Sequence, residues 1–535
     1  YLSACPSRTR SAYYYCFLYQ PPLGGITWLG LYAGFVFLAR ARQPMKRRTL
    51  ARFFEMVAKT EVFMRPAFLS SVSSVQNEPP EVLSTLERED DVKDAFTDNL
   101  APSRSEEEQA MSHFTELTTY FAYALLILVG HIRDLCARFF GVSRWKTLTE
   151  RKTKKMAPLF KNWENFYARR LYHRIGDVFN RPINSSPSAR IRVMERELRT
   201  ECGEEKFVRT GKTRDCVNLG SYNYLGFADD WMSTCGESVL KTVNEWPIST
   251  GSSRAELGTT RLHRDLEVAV AEFVGKESAL VFNMGYGTNS TTVPALVGPG
   301  DLIISDELNH ASIVNGCRAS GAMIRSFSHN DAKDLARVLR EAIALGVPRT
   351  RRPWRKILVM VEGIYSMEGE ICNLKEISAT CKAHRAYLYL DEAHSIGALG
   401  ATGRGACEHC GVDPADVDIL MGTFTKSFGG MGGYIASSAD VIKHLKARCP
   451  GLLNHDAMSP VMCSQILTAT QIIAGKDGSE MGARKLRALR ENSNYFRSEL
   501  IKAGLHVYGD YDSPIIPVLL YNPTKIAAFS RECFA

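Results

Sequence analysis

Chemistry is most concentrated at Gly422-Thr423-Phe424-Thr425-Lys426-Ser427-Phe428-Gly429-Gly430, a lysine in a turn of small residues directly after the apolar run Val417-Asp418-Ile419-Leu420-Met421. A lysine at the end of a buried strand loses hydration, so its ammonium becomes easier to deprotonate. It is then a candidate imine-forming amine. The plain alternative is a lysine in a glycine-rich loop that meets phosphate or solvent. A nucleotide-binding P-loop is excluded, because that motif places glycine directly before its lysine and here Thr425 stands there.

A second stretch, Tyr387-Leu388-Tyr389-Leu390-Asp391-Glu392-Ala393-His394-Ser395, narrows the choice. An alternating apolar strand ends in Asp391, thirty-five residues before Lys426, and His394 follows three residues on. Taken singly, Asp391 or His394 reads as a polar group satisfied at a strand end. Beside a strand-end lysine, the acid matches what pyridoxal 5'-phosphate requires. A carboxylate keeps the pyridine nitrogen protonated so that the ring accepts electrons, and a lysine holds the aldehyde as a Schiff base.

The elements that must position these groups alternate from Asn218 onward. Strands are expected at Ala279–Phe282, Asp301–Ser305, Ile357–Val361, Ala386–Leu390 and Asp418–Met421, with helices at His263–Phe273, Ala332–Leu345 and Leu374–His384. This predicts an α/β fold, a mostly parallel sheet with helices on both faces. Crossovers of that kind bring strand C-termini to one edge. Lys426, Asp391, His310 and Ser366 all follow such ends. Gly285-Tyr286-Gly287 lies between a strand and a helix expected to start near Asn289, where backbone N–H groups can cradle phosphate.

These residues, with Gly220-Ser221-Tyr222-Asn223-Tyr224-Leu225-Gly226-Phe227, Ser305-Asp306-Glu307-Leu308-Asn309-His310-Ala311-Ser312, Pro348-Arg349-Thr350-Arg351-Arg352-Pro353-Trp354 and Val361-Glu362-Gly363-Ile364-Tyr365-Ser366-Met367-Glu368-Gly369, resemble the α-oxoamine synthases, from about Phe114 to the last residue. Within that family the chain looks most like the catalytic second subunits of eukaryotic serine palmitoyltransferase. The resemblance implies a fold-type I pyridoxal phosphate transferase that condenses L-serine with a long-chain acyl-CoA, losing carbon dioxide and coenzyme A to give 3-ketosphinganine. It implies that Lys426 binds the cofactor and takes the α-proton, Asp391 pairs with the ring nitrogen and His310 stacks on the ring. His394 and Ser366 then lie near the phenolic oxygen, Thr423 with Gly285 and Tyr286 at the phosphate, and Asn223 near the amino-acid carboxylate. It further implies a heterodimer with the non-catalytic first subunit at the endoplasmic reticulum membrane, the catalytic domain facing the cytosol. Another family member, such as a 5-aminolevulinate synthase or a glycine C-acyltransferase, is the alternative enzyme. A scaffolding subunit is the non-enzymatic one, against which Lys426 and Asp391 argue.

Composition sets outer bounds. The chain has 535 residues, 45% hydrophobic and 23% charged, enough for a large core and more than one domain. Its net charge of +8 sits in residues 1–52, which hold eight Lys or Arg and no acid, leaving 58 basic against 58 acidic side chains. The enzyme body thus gives no electrostatic reason to expect nucleic acid. Fourteen cysteines without regular spacing speak for a reducing compartment. Cys407-Glu408-His409-Cys410 lacks a second ligand pair and is expected to be a surface turn rather than a metal site.

The expected organisation is a doubtful leader (1–44, with an apolar run at Ile26–Ala39), a flexible N-terminal region (45–113, acid-rich from Glu78 to Glu108) and a transmembrane or membrane-embedded helix (114–135). An amphipathic arm (136–217), the cofactor-binding large domain (218–450) and an incomplete small domain (451–535) follow. Leu117–Ile132 is sixteen residues without Lys, Arg, Asp or Glu, short of the roughly 20 a full span needs. Tyr120 and Tyr123 at one end and Arg133 at the other suit membrane interfaces, whereas a buried core helix is the alternative. Arg151–Lys155 is a basic cluster suited to headgroups, and Trp163, Phe166, Tyr167, Arg170, Leu171 and Ile175 recur at helical spacing. The arginine that grips the substrate carboxylate in the resembled family is expected beyond Ala535. Finally, Asp456 and Ala457 stand where the family carries hydroxyls that reach a neighbouring subunit's cofactor phosphate. A carboxylate there opposes a phosphate, which favours a partner that lacks a working site.

Overall fold

A computed structural model of the chain describes residues 112–139, Phe166, and 175–534 apart from 202 and 203. The expected leader, the acidic region, the basic cluster at Arg151–Lys155 and most of the helical arm lie outside the described residues.

The centre is a seven-stranded sheet. In chain order its strands are β3 (Ser278–Phe282), β4 (Leu302–Asp306), β5 (Met323–Phe327), β6 (Ile357–Glu362), β7 (Tyr387–Asp391), β8 (Ile419–Thr423) and β9 (Gly433–Ser437). In space they run β3-β9-β8-β7-β6-β4-β5. All pairs from β8 to β5 are parallel, and only β9 runs against its neighbours β3 and β8. The apolar runs alternate between two cores. Leu302, Ile304, Val359, Val361, Leu388 and Leu390 face one, and Ile303, Leu358, Met360, Tyr389, Ile419 and Met421 the other. Burial on both faces is what continuous Val/Ile/Leu strands predict, and each such side chain removed from water contributes about 1.5–3 kcal/mol.

The helices that enclose the sheet start and stop on local signals. The helix α5 (Ala332–Leu345) begins where the Asp331 carboxylate accepts from Lys333 N (2.8 Å) and Asp334 N (3.0 Å), and it ends at Gly346 with φ of 61°. Such a cap contributes about 1 kcal/mol. Before it in the chain, α1 (His113–Phe139) stands apart, α2 (Arg261–Phe273) joins the first core, and α3 (Gly285–Leu296) and α4 (Ala311–Ser320) join the second. After it, α6 (Leu374–His384) packs in the first core and α7 (Ala439–Arg448) in the second. The helix α3 starts four residues earlier than expected, at Gly285 itself. Two glycines let the backbone turn straight from β3 into the helix, so Asn289 lies one turn in.

Two features depart from the expected organisation. The C-terminal part of the arm is a β-hairpin, β1 (Arg190–Glu201) and β2 (Glu204–Val217), whose charged alternation gives no apolar face to read. After Pro450, α8 (Pro460–Ile473) still packs in the first core through Cys463, Ile466 and Ala469. A separate small core forms only around Leu500 and Val507, with Phe496, Ile516, Val518 and Phe529, from α9 (Met481–Lys502), the short pair β10 (His506–Val507) and β11 (Val518–Leu519), and α10 (Pro523–Phe534). Cys407 is buried in a short helix, Ala406–Cys410, rather than exposed in a turn.

The helix α1 has 27 residues and is about 40 Å long at 1.5 Å per residue, more than a bilayer core of about 30 Å. Its apolar stretch, His113–Cys136, has mean hydropathy 1.3 over its best window and lies almost wholly outside the protein core. A core helix would bury that face, so α1 is compatible with membrane anchoring.

Candidate active site

The site forms where parallel strands end. Register places Glu362 beside Asp391 and Asp391 beside Met421, so the ends of β6, β7 and β8 meet. Asp391 is buried, and its acceptors are filled only by neutral donors. Asn289 Nδ2, from α3, donates to Oδ2 at 2.7 Å, and Ala393 N donates to Oδ1 at 2.9 Å. Asn289 is itself fixed by the Tyr389 hydroxyl, which donates to its Oδ1 at 2.7 Å. A buried carboxylate with no ion pair among the described residues is costly unless it awaits one.

Lys426 is half-buried, and among the described residues no acid lies within ion-pairing distance of its amine. Burial lowers its pKa, against the pull of Asp391 and Glu362. Those mutual influences place Lys426, Asp391 and Glu362 in one cluster, and the two histidines join it. The pKa of His394 is pushed well below the usual value by burial, and further by Lys426 and His310. That of His310 is lowered by burial, with Asp391 raising it and Lys426 lowering it. His310 caps α4, where Ser312 N donates to its Nδ1 at 3.2 Å, so the neutral ring carries its proton on Nε2. Its own backbone N donates to Glu362 Oε1.

The residues expected at the phosphate also lie close together. Thr423 closes β8 beside the N-terminus of α3, and a Cβ on Gly285 would stand 2.7 Å from Thr423 Oγ1. Only glycine allows that approach, and the first N–H groups of α3 then face outward for an anion. Thr425 Oγ1 lies 2.9 Å from Thr423 Oγ1. Tyr286 is partly exposed, its ring edge-on to His310 with centroids 6.1 Å apart.

Other expected residues have the following surroundings. Ser366 lies in a half-buried turn after β6, and no hydrogen bond joins it to the cluster. Asn223 spends its amide locally, donating to Asp229 Oδ1 at 2.7 Å and accepting from Ala228 N at 3.3 Å. Asp456 is exposed, in a bridge to Ser253 of its own chain, with its carbonyl accepting from Asn283 Nδ2 at 2.7 Å. Sequence reasoning gave no role to Glu362, Asn289 or Tyr224, whose hydroxyl is 2.8 Å from His394 Nδ1. Glu362 was findable as the acid ending a fully apolar strand. The Tyr224–His394 pair spans 170 residues and leaves no local signal.

The donor set fits pyridoxal phosphate. An unpaired amine suits the aldehyde, a cation-free buried carboxylate suits the ring nitrogen, and a helix start that excludes a Cβ suits the phosphate. Among the described residues no group of three or more His, Cys, Asp or Glu could hold a metal ion.

The family model for aminotransferase class I and II matches residues 214–534. Long chain base biosynthesis protein 2d of Oryza sativa subsp. japonica is 55% identical over 425 residues, covering 79% of this chain and 85% of that protein. Serine palmitoyltransferase 2 of Dictyostelium discoideum is 48% identical, covering 78% and 84%. Among solved structures, a Sphingomonas wittichii serine palmitoyltransferase is 31% identical, with a TM-score of 0.59 over 70% of this chain and 86% of that one. Another, a serine palmitoyltransferase from S. paucimobilis with a bound PLP–myriocin aldimine, is 25% identical, with a TM-score of 0.51 over 68% and 95%. Identity near one half over most of both chains goes well beyond a shared fold, and the chain belongs to the family of long chain base biosynthesis protein 2 and serine palmitoyltransferase 2, within the aminotransferase class I and II group.

Proposed function

We propose that the chain is the catalytic subunit of a serine palmitoyltransferase. It joins L-serine to palmitoyl-CoA with loss of carbon dioxide and coenzyme A, giving 3-ketosphinganine for sphingolipid synthesis. The observation that carries this reading is the meeting, at one sheet edge, of an amine and a buried carboxylate that make no ion pair among the described residues.

Pyridoxal phosphate, when bound, supplies an aldehyde for amines and a protonated ring that accepts the electron pair released at the α-carbon. The residues of the chain do the rest. Lys426, whose ammonium burial makes easier to deprotonate, would hold the aldehyde and, once serine takes its place, would remove the α-proton. Asp391 stabilises positive charge at the ring nitrogen, held in place by Asn289 and Ala393. His310, fixed by Ser312, would cover the ring face, and His394 would lie toward the phenolic oxygen. Thr423 and the start of α3 anchor the phosphate. Asn223 and Ser366 enter this reading from the family pattern, and Tyr222 and Tyr224 already hold the Asn223 loop against His394.

The proposed assembly is a heterodimer with a paralogous subunit that lacks the lysine, at the endoplasmic reticulum membrane with α1 as anchor and the catalytic body in the cytosol. The exposed Asp456 supports the unlike partner, since in a homodimer it would oppose a neighbour's phosphate. Co-expression with and without the paralogous subunit tests this. Cofactor occupancy is expected only with the partner, and Asp456→Thr should raise it in the chain expressed alone. A fully loaded homodimer indifferent to Asp456→Thr would remove the argument.

A further inference from the structure

Outside the cluster, one buried titratable group ties two of its loops together. His329 follows β5 in the turn Ser328-His329-Asn330, with its ring edge-on to Tyr365 at 4.3 Å between centroids. Its Nδ1 is 2.9 Å from Asp306 Oδ1 and its Nε2 is 3.0 Å from Glu370 Oε2. A neutral imidazole has one N–H, so two carboxylate partners at these distances require both nitrogens to be protonated. The ring is an imidazolium, 15% exposed.

Both acids belong to loops that lead into the site. Asp306 ends β4, and its carboxylate shapes the turn that delivers His310. Leu308 N donates to its Oδ1 at 2.9 Å, while Asn330 N and the Tyr365 hydroxyl donate to Oδ2 at 2.9 and 3.0 Å. Glu370 closes the loop that leaves β6 and carries Ser366. Tyr365 N donates to Glu370 O at 3.0 Å, and Ile364 bridges Ile371. Ile371 N in turn donates to Asp510 Oδ2 at 2.8 Å, which links the loop to the C-terminal segment.

We propose that His329 is a positioning residue for the condensation: its imidazolium clamps the turn bearing His310 to the loop bearing Ser366 and so sets how firmly the cofactor is held. This rests on the reading above that His310 and Ser366 face the cofactor. The charges around the ring explain the need for a cation. Asp306, Glu370, Glu368 and Glu307, which accepts from His329 N at 3.1 Å, face it, with the Tyr365 phenol alongside and Asp510 beyond. Among the described residues no other cation pairs with Asp306 or Glu370. Without the imidazolium, the two acids confront each other and the loops separate. Burial lowers the pKa of His329, but its hydrogen bonds to Asp306 and Glu370 outweigh that and raise it to about 10.

The test uses the full chain co-expressed with its paralogous subunit and measures pyridoxal phosphate retention by dialysis from about pH 6 to 11, alongside kcat and KM. His329→Gln keeps an amide and loses the charge. It should weaken retention about tenfold at pH 8 and less at pH 6, where protonation of Glu368, whose pKa burial raises to about 7, relieves the repulsion. It should lower kcat more than it raises KM for acyl-CoA. The double variant His329→Gln/Glu370→Gln should recover most of the retention. Glu370→Gln alone, which keeps the folded clamp to Asp306, should bring the alkaline loss of retention to lower pH. Wild-type retention in His329→Gln, equal losses in the single and double variants at every pH, or an unmoved alkaline limb in Glu370→Gln would each overturn the clamp. Lys426→Ala separates the two levels: wild-type-like, borohydride-reducible cofactor in that variant would remove the underlying site reading instead.

Discussion

Replacing Asp391 by Asn removes one charge and almost no volume. The carboxylate is 3% exposed and accepts from Asn289 Nδ2 and Ala393 N. With its amide oxygen toward Ala393 N, the new side chain sets its NH2 against that of Asn289, and the opposite orientation leaves Ala393 N unpaired. One hydrogen bond is lost either way, about 1 kcal/mol. Against this, burial and then the Asp391 charge raise the pKa of Glu362 beside it, so neutralising Asp391 removes an unfavourable buried interaction. The protein without cofactor should therefore melt within a few degrees of wild type. The holoenzyme loses the counter-charge to the protonated ring. Removing one partner of a buried pair costs about 3–5 kcal/mol, or roughly 10²–10⁴-fold. The assay is coenzyme A release with saturating serine and acyl-CoA, with melting of the cofactor-free protein measured beside it. Activity within tenfold of wild type, or a collapse of the cofactor-free fold that matches the loss of activity, would refute the assignment of Asp391.

Gly285→Ala places a methyl 2.7 Å from Thr423 Oγ1 and should weaken pyridoxal phosphate binding by about 1–3 kcal/mol, read by equilibrium dialysis. His263 is fully buried, and Met458 O lies 2.9 Å from its Nε2. Burial, then Arg254, lowers its pKa to about 4 against the opposing effect of Met458. The unfolded chain therefore takes up a proton near pH 6.5 that the folded chain refuses, so stability falls as pH drops from about 6.5 toward 4. The loss is about 3 kcal/mol at its limit, and the slope should flatten in His263→Gln. Deleting residues 112–139 should move the chain from the carbonate-resistant membrane fraction to the soluble fraction. If the full chain is already extracted by carbonate, α1 is not an anchor.

The sheet was legible where its physics is local. The strands β3, β4, β6, β7 and β8 are apolar on both faces, so their sequences announce them within a residue or two. The strand β5 was not, because Met323-Ile324-Arg325-Ser326-Phe327 is an edge strand with both Met323 and Ile324 about 40% exposed. Nor was β9, whose Gly433 and Ala436 carry little side chain and which pairs antiparallel inside a parallel pattern. In the site, Lys426, Asp391 and Thr423 could be read because each stands at a strand end. The clamp at His329 could not, since its acids come from 23 residues before it and 41 after it. The hydrogen bonds of Asn223 also went unread, because the nearby Asp229 competes for its amide.

The central claim is that Lys426 is the amine that holds the cofactor. Borohydride reduction of the purified holoenzyme, followed by digestion and mass spectrometry, tests it most directly. The account predicts a phosphopyridoxyl group on the peptide that contains Lys426 and none in Lys426→Ala. The same label on another lysine, or its persistence in Lys426→Ala, would contradict it.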